Sequence, residues 1–391
     1  MSQKVTQQQI ADALHLSRNT VSKALNNEPG MKPATRQRIV QKALELGYSK
    51  LHFDLHPSIE LNVSREASTT WSGSAHDLAY GSAKQSANRL THGFASEAAQ
   101  TAKTASKNNY LVSLITHSDY MGNHFWSPFI KGLNLSLKEA GYTLAMTLVD
   151  MEDESELRLP QLFMQQPPAG VVTIGPFLRQ YYERIAATSI PALFVDTYAD
   201  FDMHLLKCDT LLVDNKRSTT ELTRHLIAQG HRDIGFVGDI GSCLSYAERW
   251  QGYVQAMREF GLPVRSEQCI TNMLPRHYYM EAELEGAFAR MANKPSAFVC
   301  ANDTIALDMK RIARRAGLRV PEDIALTGFD NLAESATAHP PLTTVHIPKE
   351  QMGMRAGEQI AWRMAHPERS QELIRVAVQP IWRQSSTYQR Q

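Results

Sequence analysis

The sequence predicts an α/β protein: an all-α helix-turn-helix headpiece followed by two doubly wound parallel-sheet lobes. Three observations predict it. Residues 6–47 carry start and stop signals for three short helices, residues 51–107 are poor in core-forming side chains, and from Tyr110 onward short β-branched runs alternate with amphipathic stretches of helical length. A chain of 391 residues exceeds one compact core and suits two or three domains. Its 43% hydrophobic and 21% charged content is that of a globular protein, and no apolar run reaches bilayer-spanning length. With no hydrophobic leader at the N-terminus, a cytoplasmic location and no membrane partner are expected. The expected boundaries are 1–50 for the head, 51–107 for a connector and 108–391 for the two-lobed body.

In the head, Thr6 and Gln9 have the spacing of a capping box just before Ile10, Ala13 and Leu14, so a first helix is expected from about Thr6 to Ala13. Ser17 suits the N-cap of a second helix, to about Leu25, with Val21, Ala24 and Leu25 on one face. Only Leu14-His15-Leu16 lies between them, short enough to force the sharp crossing of a helix-turn-helix, with His15 at the bend where one residue tends to positive φ. Pro33, the apolar residues Ile39, Val40, Ala43 and Leu44, and then Gly47 mark out a third helix. The second helix would turn Arg18, Asn19, Ser22, Lys23 and Asn26 outward, side chains able to reach base edges and phosphates in a major groove. Charge agrees. Residues 1–50 hold eight Lys/Arg against three Asp/Glu, a net of +5, which leaves −4 on the rest. A basic head on a mildly acidic body points to nucleic acid at the head alone.

The run VTQQQIADALHLSRNTVSKALNN with PATRQRIVQKALELGY resembles the headpiece of the lactose-repressor (LacI/GalR) family of transcription regulators, over nearly all of the first 48 residues. That resemblance implies double-stranded operator DNA as the partner. It makes Arg18 and Asn19 the main base readers, puts Lys23 at the usual arginine position, and has Thr6, Ser17, Thr20, Ser22, Asn26 and Thr35 hold phosphates. Lysine lacks the planar fork that reads guanine with two parallel bonds.

In residues 51–107, 24 of 57 are Ser, Thr or Ala, and no long apolar periodicity appears. The family's connector is shorter and includes a hinge helix that inserts a leucine into the minor groove. Here the nearest likeness is residues 86–93, where Ala87 and Leu90 keep the spacing of three, so Leu90 is the candidate wedge.

In the body the expected strands are Leu111–Thr116, Thr143–Val149, Gly170–Ile174 and Ala192–Val195, then Ile234–Val237, Cys269–Met273, Ala297–Cys300 and Ile324–Thr327. Ligands bind beyond the carboxyl ends of such strands. There the chain places Phe125 and Trp126, a flat surface on which a ring can stack, and the polar residues Asp196, Asn302 and Asp330, while Arg249 falls near the start of the helix after the Phe236 strand. Cys208, Cys243, Cys269 and Cys300 are scattered, without the pairing that zinc or redox chemistry needs, and read as reduced thiols.

The runs Phe298–Asp303, Gly317–Ile324, Gly328–Asp330, Pro341–Val345 and Arg383–Thr387 are similar to the same family's effector-binding and dimerising region. The resemblance implies a homodimer with a pocket of Phe125, Trp126, Asp196, Arg249, Asn302 and Asp330, Tyr279 as a second aromatic wall, and a dimer face to which Phe129, Ile130 and Leu133 contribute. The expected protein is a transcriptional regulator acting as a repressor and sensing a sugar-like or nucleobase-like effector. A transporter's solute-binding protein shares the two-lobed body but not a basic helix-turn-helix. No Gly-x-Gly-x-x-Gly turn, Gly-x-Ser-x-Gly elbow or Gly-Lys-Ser/Thr phosphate loop is present, so no enzyme activity and no cofactor are expected.

Overall fold

The computed structural model describes residues 6–14, 16–25, 35, 39, 42, 110–118, 125–202, 206, 208–272 and 281–387. The chain divides into two units, 1–79 and 80–391.

In the first unit, α1 (Gln7–Leu14) and α2 (Arg18–Leu25) follow the expected caps. Thr6 N donates to Gln9 Oε1 at 2.8 Å and Gln9 N returns to Thr6 Oγ1 at 3.3 Å, closing the capping box. Ser17 Oγ accepts from Thr20 N at 3.1 Å. One face needs correction: α1 buries Ile10, Ala11 and Leu14, and Ala13 is exposed. Ala11 and Ala13 flank the Ile10–Leu14 line on opposite sides, so packing against α2, not periodicity, selects between them. Ile39 is helical and fully buried, as the third helix requires. His15, Asn26, Pro33, Gly47 and the whole connector with Leu90 lie outside the described residues.

The second unit opens with a six-stranded sheet. In chain order its elements are β1 (Leu111–His117), α3 (Trp126–Glu139), β2 (Thr143–Val149), α4 (Met151–Ser155), α5 (Gln161–Gln165), β3 (Gly170–Ile174), α6 (Arg179–Ala186), β4 (Ala192–Val195) and β5 (Asp209–Val213). There follow α7 (Asn215–Ala228), β6 (Ile234–Val237), α8 (Leu244–Glu259), α9 (Glu281–Arg290), β7 (Ala297–Cys300), α10 (Asp303–Arg315), β8 (Ala325–Thr327) and α11 (Ala333–Thr337). The chain ends with β9 (Thr344–His346), α12 (Lys349–Ala365), β10 (Leu373–Val376) and β11 (Gln379–Ile381).

The first lobe's sheet runs β10-β5-β4-β3-β1-β2, every pair parallel. Its strands read as continuous apolar runs because both faces are covered. Val112, Leu114 and Val172 pack with Phe129 and Leu133 of α3 and Ile360 of α12, while Ile115, Val171 and Phe194 pack with Tyr181, Tyr182 and Ile185 of α6. The helices α3 and α12 touch backbone to backbone. A Cβ on Gly132 would stand 2.0 Å from Glu350 O, and one on Gly353 2.0 Å from Phe129 O, so glycine is what lets them approach. This contact corrects the expected dimer face: Phe129 and Leu133 are fully buried inside their own lobe, and only Ile130 of the three keeps partial exposure.

The second lobe's sheet is β6-β7-β8, also parallel, packed with α8, α9 and α10 in one core. Of the expected strand Cys269–Met273, residues 269–272 are described and form no regular strand, and Met273 lies outside the described residues. Ile270 forms a single bridge to Val237, held by Ile270 N to Phe236 O at 2.8 Å and Gly238 N to Ile270 O at 2.9 Å. An edge segment paired on one side supports less regular strand than β7, which pairs on both. The remaining expected strands match within one residue; β5, β9, β10 and β11 were not anticipated. The chain returns to the first lobe through α12 and β10, and β11 pairs antiparallel with β9.

Candidate functional site

On α2 of the head, Val21 is fully buried while Ser17, Arg18, Asn19 and Lys23 are exposed and Thr20 and Ser22 half-buried. Ser17 Oγ and Thr20 Oγ1 are 2.8 Å apart. A polar, positively charged stripe therefore stands on the face opposite the hydrophobic one. Thr6 is exposed, and Thr35 is half-buried.

In the body, six of the expected residues converge. Phe125, Trp126 and Asp196 from the first lobe and Arg249, Asn302 and Asp330 from the second all line one cavity of about 630 Å³, within the range of roughly 300–1,000 Å³ common for small-molecule sites. Tyr279 lies outside the described residues. Leu211, Leu212 and Val213 of β5, Ile347 after β9 and Met352 of α12 add apolar surface to the lining.

Arg249 is the hub. Burial on α8 leaves the residue 5% exposed, and its guanidinium is held from several sides. Its Nε donates to Asn215 Oδ1 at 2.9 Å and its Nη1 to Ala301 O at 2.6 Å, with Asp330 Oδ1 at 3.8 Å from Nη1. The guanidinium carbon lies 3.8 Å from the Phe329 ring centroid. Asn215 in turn donates to Glu248 Oε2 at 3.1 Å, and Glu248 takes a forked pair from Arg375 at 2.6 and 2.8 Å. Arg375 lies on β10 of the first lobe's sheet and Glu248 on α8 of the second lobe, so this chain of bonds links the cavity to the joint between lobes.

The other polar residues have two jobs each. Asn302 caps α10, accepting from Ile305 N at 2.9 Å, and donates to Tyr246 OH at 2.7 Å. Asp196 accepts from Thr197 N at 2.8 Å and from Ser245 N at 3.1 Å. Asp196 has φ of 68° and Asp330 of 113°, a region costly for a side-chain-bearing residue and met mainly where surrounding bonds enforce it. For Asp330 they do: its N donates to Val345 O at 3.0 Å, and Lys349 Nζ donates to its carbonyl. Phe125 and Trp126 meet edge to face at 4.7 Å, and Trp126 leans on Phe129 at 5.6 Å, so the pair both lines the cavity and touches the core.

Burial pushes the Asp330 carboxyl up to about 7, against the attraction of Arg249 and Lys349 and helped by Asp303. Burial likewise pushes Asp308 up to about 6 and raises Asp196 and Asp239. A carboxyl whose folded pKa is raised contributes stability that is complete below its unfolded value near 3.9 and is lost as pH rises through the folded value. The ligand-free protein should therefore lose stability between about pH 4 and pH 7 through Asp330. His225, His231 and His346, all lowered by burial, act in the opposite sense. The difference in thermal midpoint between Asp330→Asn and the parent, followed from pH 5 to pH 8, isolates the carboxyl: the parent should lose ground to the variant as pH rises, and parallel curves would contradict the assignment.

Asn215, Tyr246, Asp239 and Asp308 escaped sequence reasoning. Asp239 had a usable signal, since it follows Phe236-Val237-Gly238 at a strand end. Asn215 follows β5, which was not anticipated, and Tyr246 and Asp308 lie within helices, where only the tertiary fold reveals which face meets the cavity. Cys208, Cys243 and Cys300 are buried and all four cysteines are free. No helix among the described residues is long and apolar enough to cross a membrane.

Residues 223–386 match the periplasmic binding protein-like domain. The chain is 31% identical over 242 residues to the HTH-type transcriptional repressor PurR of Actinobacillus pleuropneumoniae, covering 59% of this chain and 68% of that one. In fold it is similar to a transcriptional regulator CelR–cellobiose complex, with TM-score 0.62 and 18% identity over 98% of this chain and 100% of the other. It is also similar to the lac repressor dimer bound to operator and an anti-inducer, with TM-score 0.59 and 18% identity over 99% of this chain and 100% of the other.

Proposed function

The chain belongs to the LacI/GalR family of DNA-binding transcriptional regulators, and from that premise we propose that it is a homodimeric cytoplasmic repressor whose operator affinity is set by a sugar or sugar derivative held between its two lobes. Residues 1–50 bind DNA, 51–107 connect, and 108–391 bind effector and dimerise. The observation that carries this reading is the convergence of Phe125, Trp126, Asp196, Arg249, Asn302 and Asp330 on one cavity. A ligand stacked on the aromatic pair and hydrogen-bonded to Arg249, Asn302 and the two aspartates engages both lobes at once. It therefore favours one angle between them, and operator affinity shifts by the effector's differential affinity for the two states. The cavity serves binding and not turnover. Mobility-shift titration of the full chain on its operator, with and without each member of a sugar and nucleobase panel, tests the reading. A change in operator affinity with one compound is expected; none with any compound in the panel would defeat it. The kinship with PurR and the stacking pair favour, as second reading, a purine- or nucleoside-responsive corepressed regulator.

In the head, Arg18 and Asn19 read bases, Lys23 assists, and Thr6, Ser17, Thr20, Ser22, Asn26 and Thr35 hold phosphates. Arg18→Ala and Asn19→Ala should each cost about 1–3 kcal/mol on the operator and relax specificity, whereas Ser22→Ala should weaken all duplexes alike. Fluorescence anisotropy on operator and random duplex across a salt series separates these. Equal losses on both duplexes for Arg18→Ala would remove it from base reading.

A further inference from the structure

The cavity is built from far more acid than base. Its lining includes six carboxyl side chains, Glu154, Asp196, Asp200, Asp239, Asp308 and Asp330, against the guanidiniums of Arg179 and Arg249, and among the described residues no lysine or histidine lines it. Both arginines already answer protein acceptors, which offsets part of their charge, although Arg249 retains Nη2 hydrogens that can donate to a ligand oxygen. Arg179 holds Glu183 at 2.8 Å and Asp200 at 3.2 Å, and Arg249 holds Asn215, the Ala301 carbonyl and Asp330. Asp308 pairs with Arg311, and Glu154 faces His117 at 3.3 Å while accepting from Leu178 N at 2.5 Å.

Asp196 and Asp239 differ from these. Among the described residues neither has an ion-pair partner. Asp239 accepts from Gly241 N at 3.1 Å, and Asp196 from the backbone nitrogens of Thr197 and Ser245. An ionised carboxylate offers about four lone-pair sites; Asp196 in the first lobe also takes the side chains of Ser245 and Cys243, whereas Asp239 in the second keeps acceptor capacity. Acceptors of this kind are satisfied by hydroxyl hydrogens. A phosphate or carboxylate on the ligand would bring further negative charge into a partly dehydrated space, where repulsion is far less screened than in water. Burial raises Asp196, Asp239, Asp308 and Asp330, a sign that the space already resists charge of this sign. In size, about 630 Å³ corresponds to on the order of twenty water volumes of about 30 Å³ each, more than one six-membered ring displaces.

We infer that the effector is an uncharged, hydroxyl-rich molecule of more than one ring, a neutral disaccharide or its equivalent, and that the cavity rejects phosphorylated or carboxylated counterparts. This rests on reading the cavity as the effector site.

Isothermal titration of the full chain at pH 7.5 tests it with matched pairs: trehalose against trehalose 6-phosphate, sucrose against sucrose 6-phosphate, maltose against maltobionate and lactose against lactobionate, with glucose and hypoxanthine alongside. At least one neutral disaccharide should bind, with its acidic partner at least tenfold weaker. That ratio should narrow in Asp239→Asn and separately in Asp308→Asn, each checked for folding by circular dichroism. An acidic member binding as tightly as its neutral partner, or glucose or hypoxanthine binding while every disaccharide fails, overturns the inference and leaves the effector-site reading standing. Silence from every compound overturns both, and an unchanged ratio in both variants removes the carboxylates as its cause.

Discussion

Replacing Arg249 with alanine should weaken effector binding by about 2–5 kcal/mol, more than about 30-fold, while operator binding without effector stays within about twofold of the parent. The guanidinium is buried, already oriented by Asn215 and the Ala301 carbonyl, and needs no reordering when a ligand arrives. Truncating it removes a charged donor and strands Asn215. It does not strand a full charge, because Asp330, pushed up to about 7 by burial, can take a proton and Lys349 remains beside it. The variant should therefore fold. Arg249→Lys restores a point charge without the forked donor and should recover only part of the affinity. Titration calorimetry with a bound sugar and a mobility-shift assay on the same preparation give the two readouts. Loss of effector response with operator binding intact is the expected pair of results; effector affinity equal to the parent's would take Arg249 out of the site.

Asp209→Ala should lower the stability of the body by about 3–5 kcal/mol, the cost of breaking a buried ion pair from one side. Asp209 is fully buried at the start of β5, and its carboxylate takes four donors: Arg363 Nη2 at 2.7 Å, Arg363 Nε at 3.0 Å, Gln359 Nε2 at 2.7 Å and Glu372 N at 2.9 Å. Those donors come from α12 and from the approach to β10, so one side chain fastens the returning end of the chain to the first lobe. Without it Arg363 keeps the carbonyls of His366, Arg369 and Ser370 and the face of Trp362 at 5.1 Å, and a buried cation is left without its anion. Urea denaturation followed by tryptophan fluorescence would show the midpoint shift. A loss below about 1 kcal/mol would mean that the carbonyls suffice.

What the sequence made legible depended on how local the cause was. The capping box of Thr6 and Gln9, the Ser17 cap and the parallel runs of β1 to β4 rest on neighbours within a few residues, and each was readable in advance. That Asp196, Asn302 and Asp330 meet at one cavity was also readable, since strands of a parallel sheet direct the residues after them to one edge. The choice of Ala11 over Ala13 was not, because both flank the same line on α1 and only the neighbouring helix tells them apart. Nor was the burial of Phe129 and Leu133, which depends on α12, more than two hundred residues away, closing on α3 through Gly132 and Gly353.

The amino-acid order alone set a basic helical head before an acidic α/β body, and put aromatic and polar side chains at the ends of strands in both halves, because caps, periodicity and charge act over short stretches of chain. Folding alone settled that Arg249 joins Asn215, Glu248 and Arg375 in one series of bonds between lobes, and that carboxylates on separate helices and turns face a common space. Those outcomes arise where α12 and β10 come back to the first lobe, and contacts across that much chain leave no mark on any local pattern.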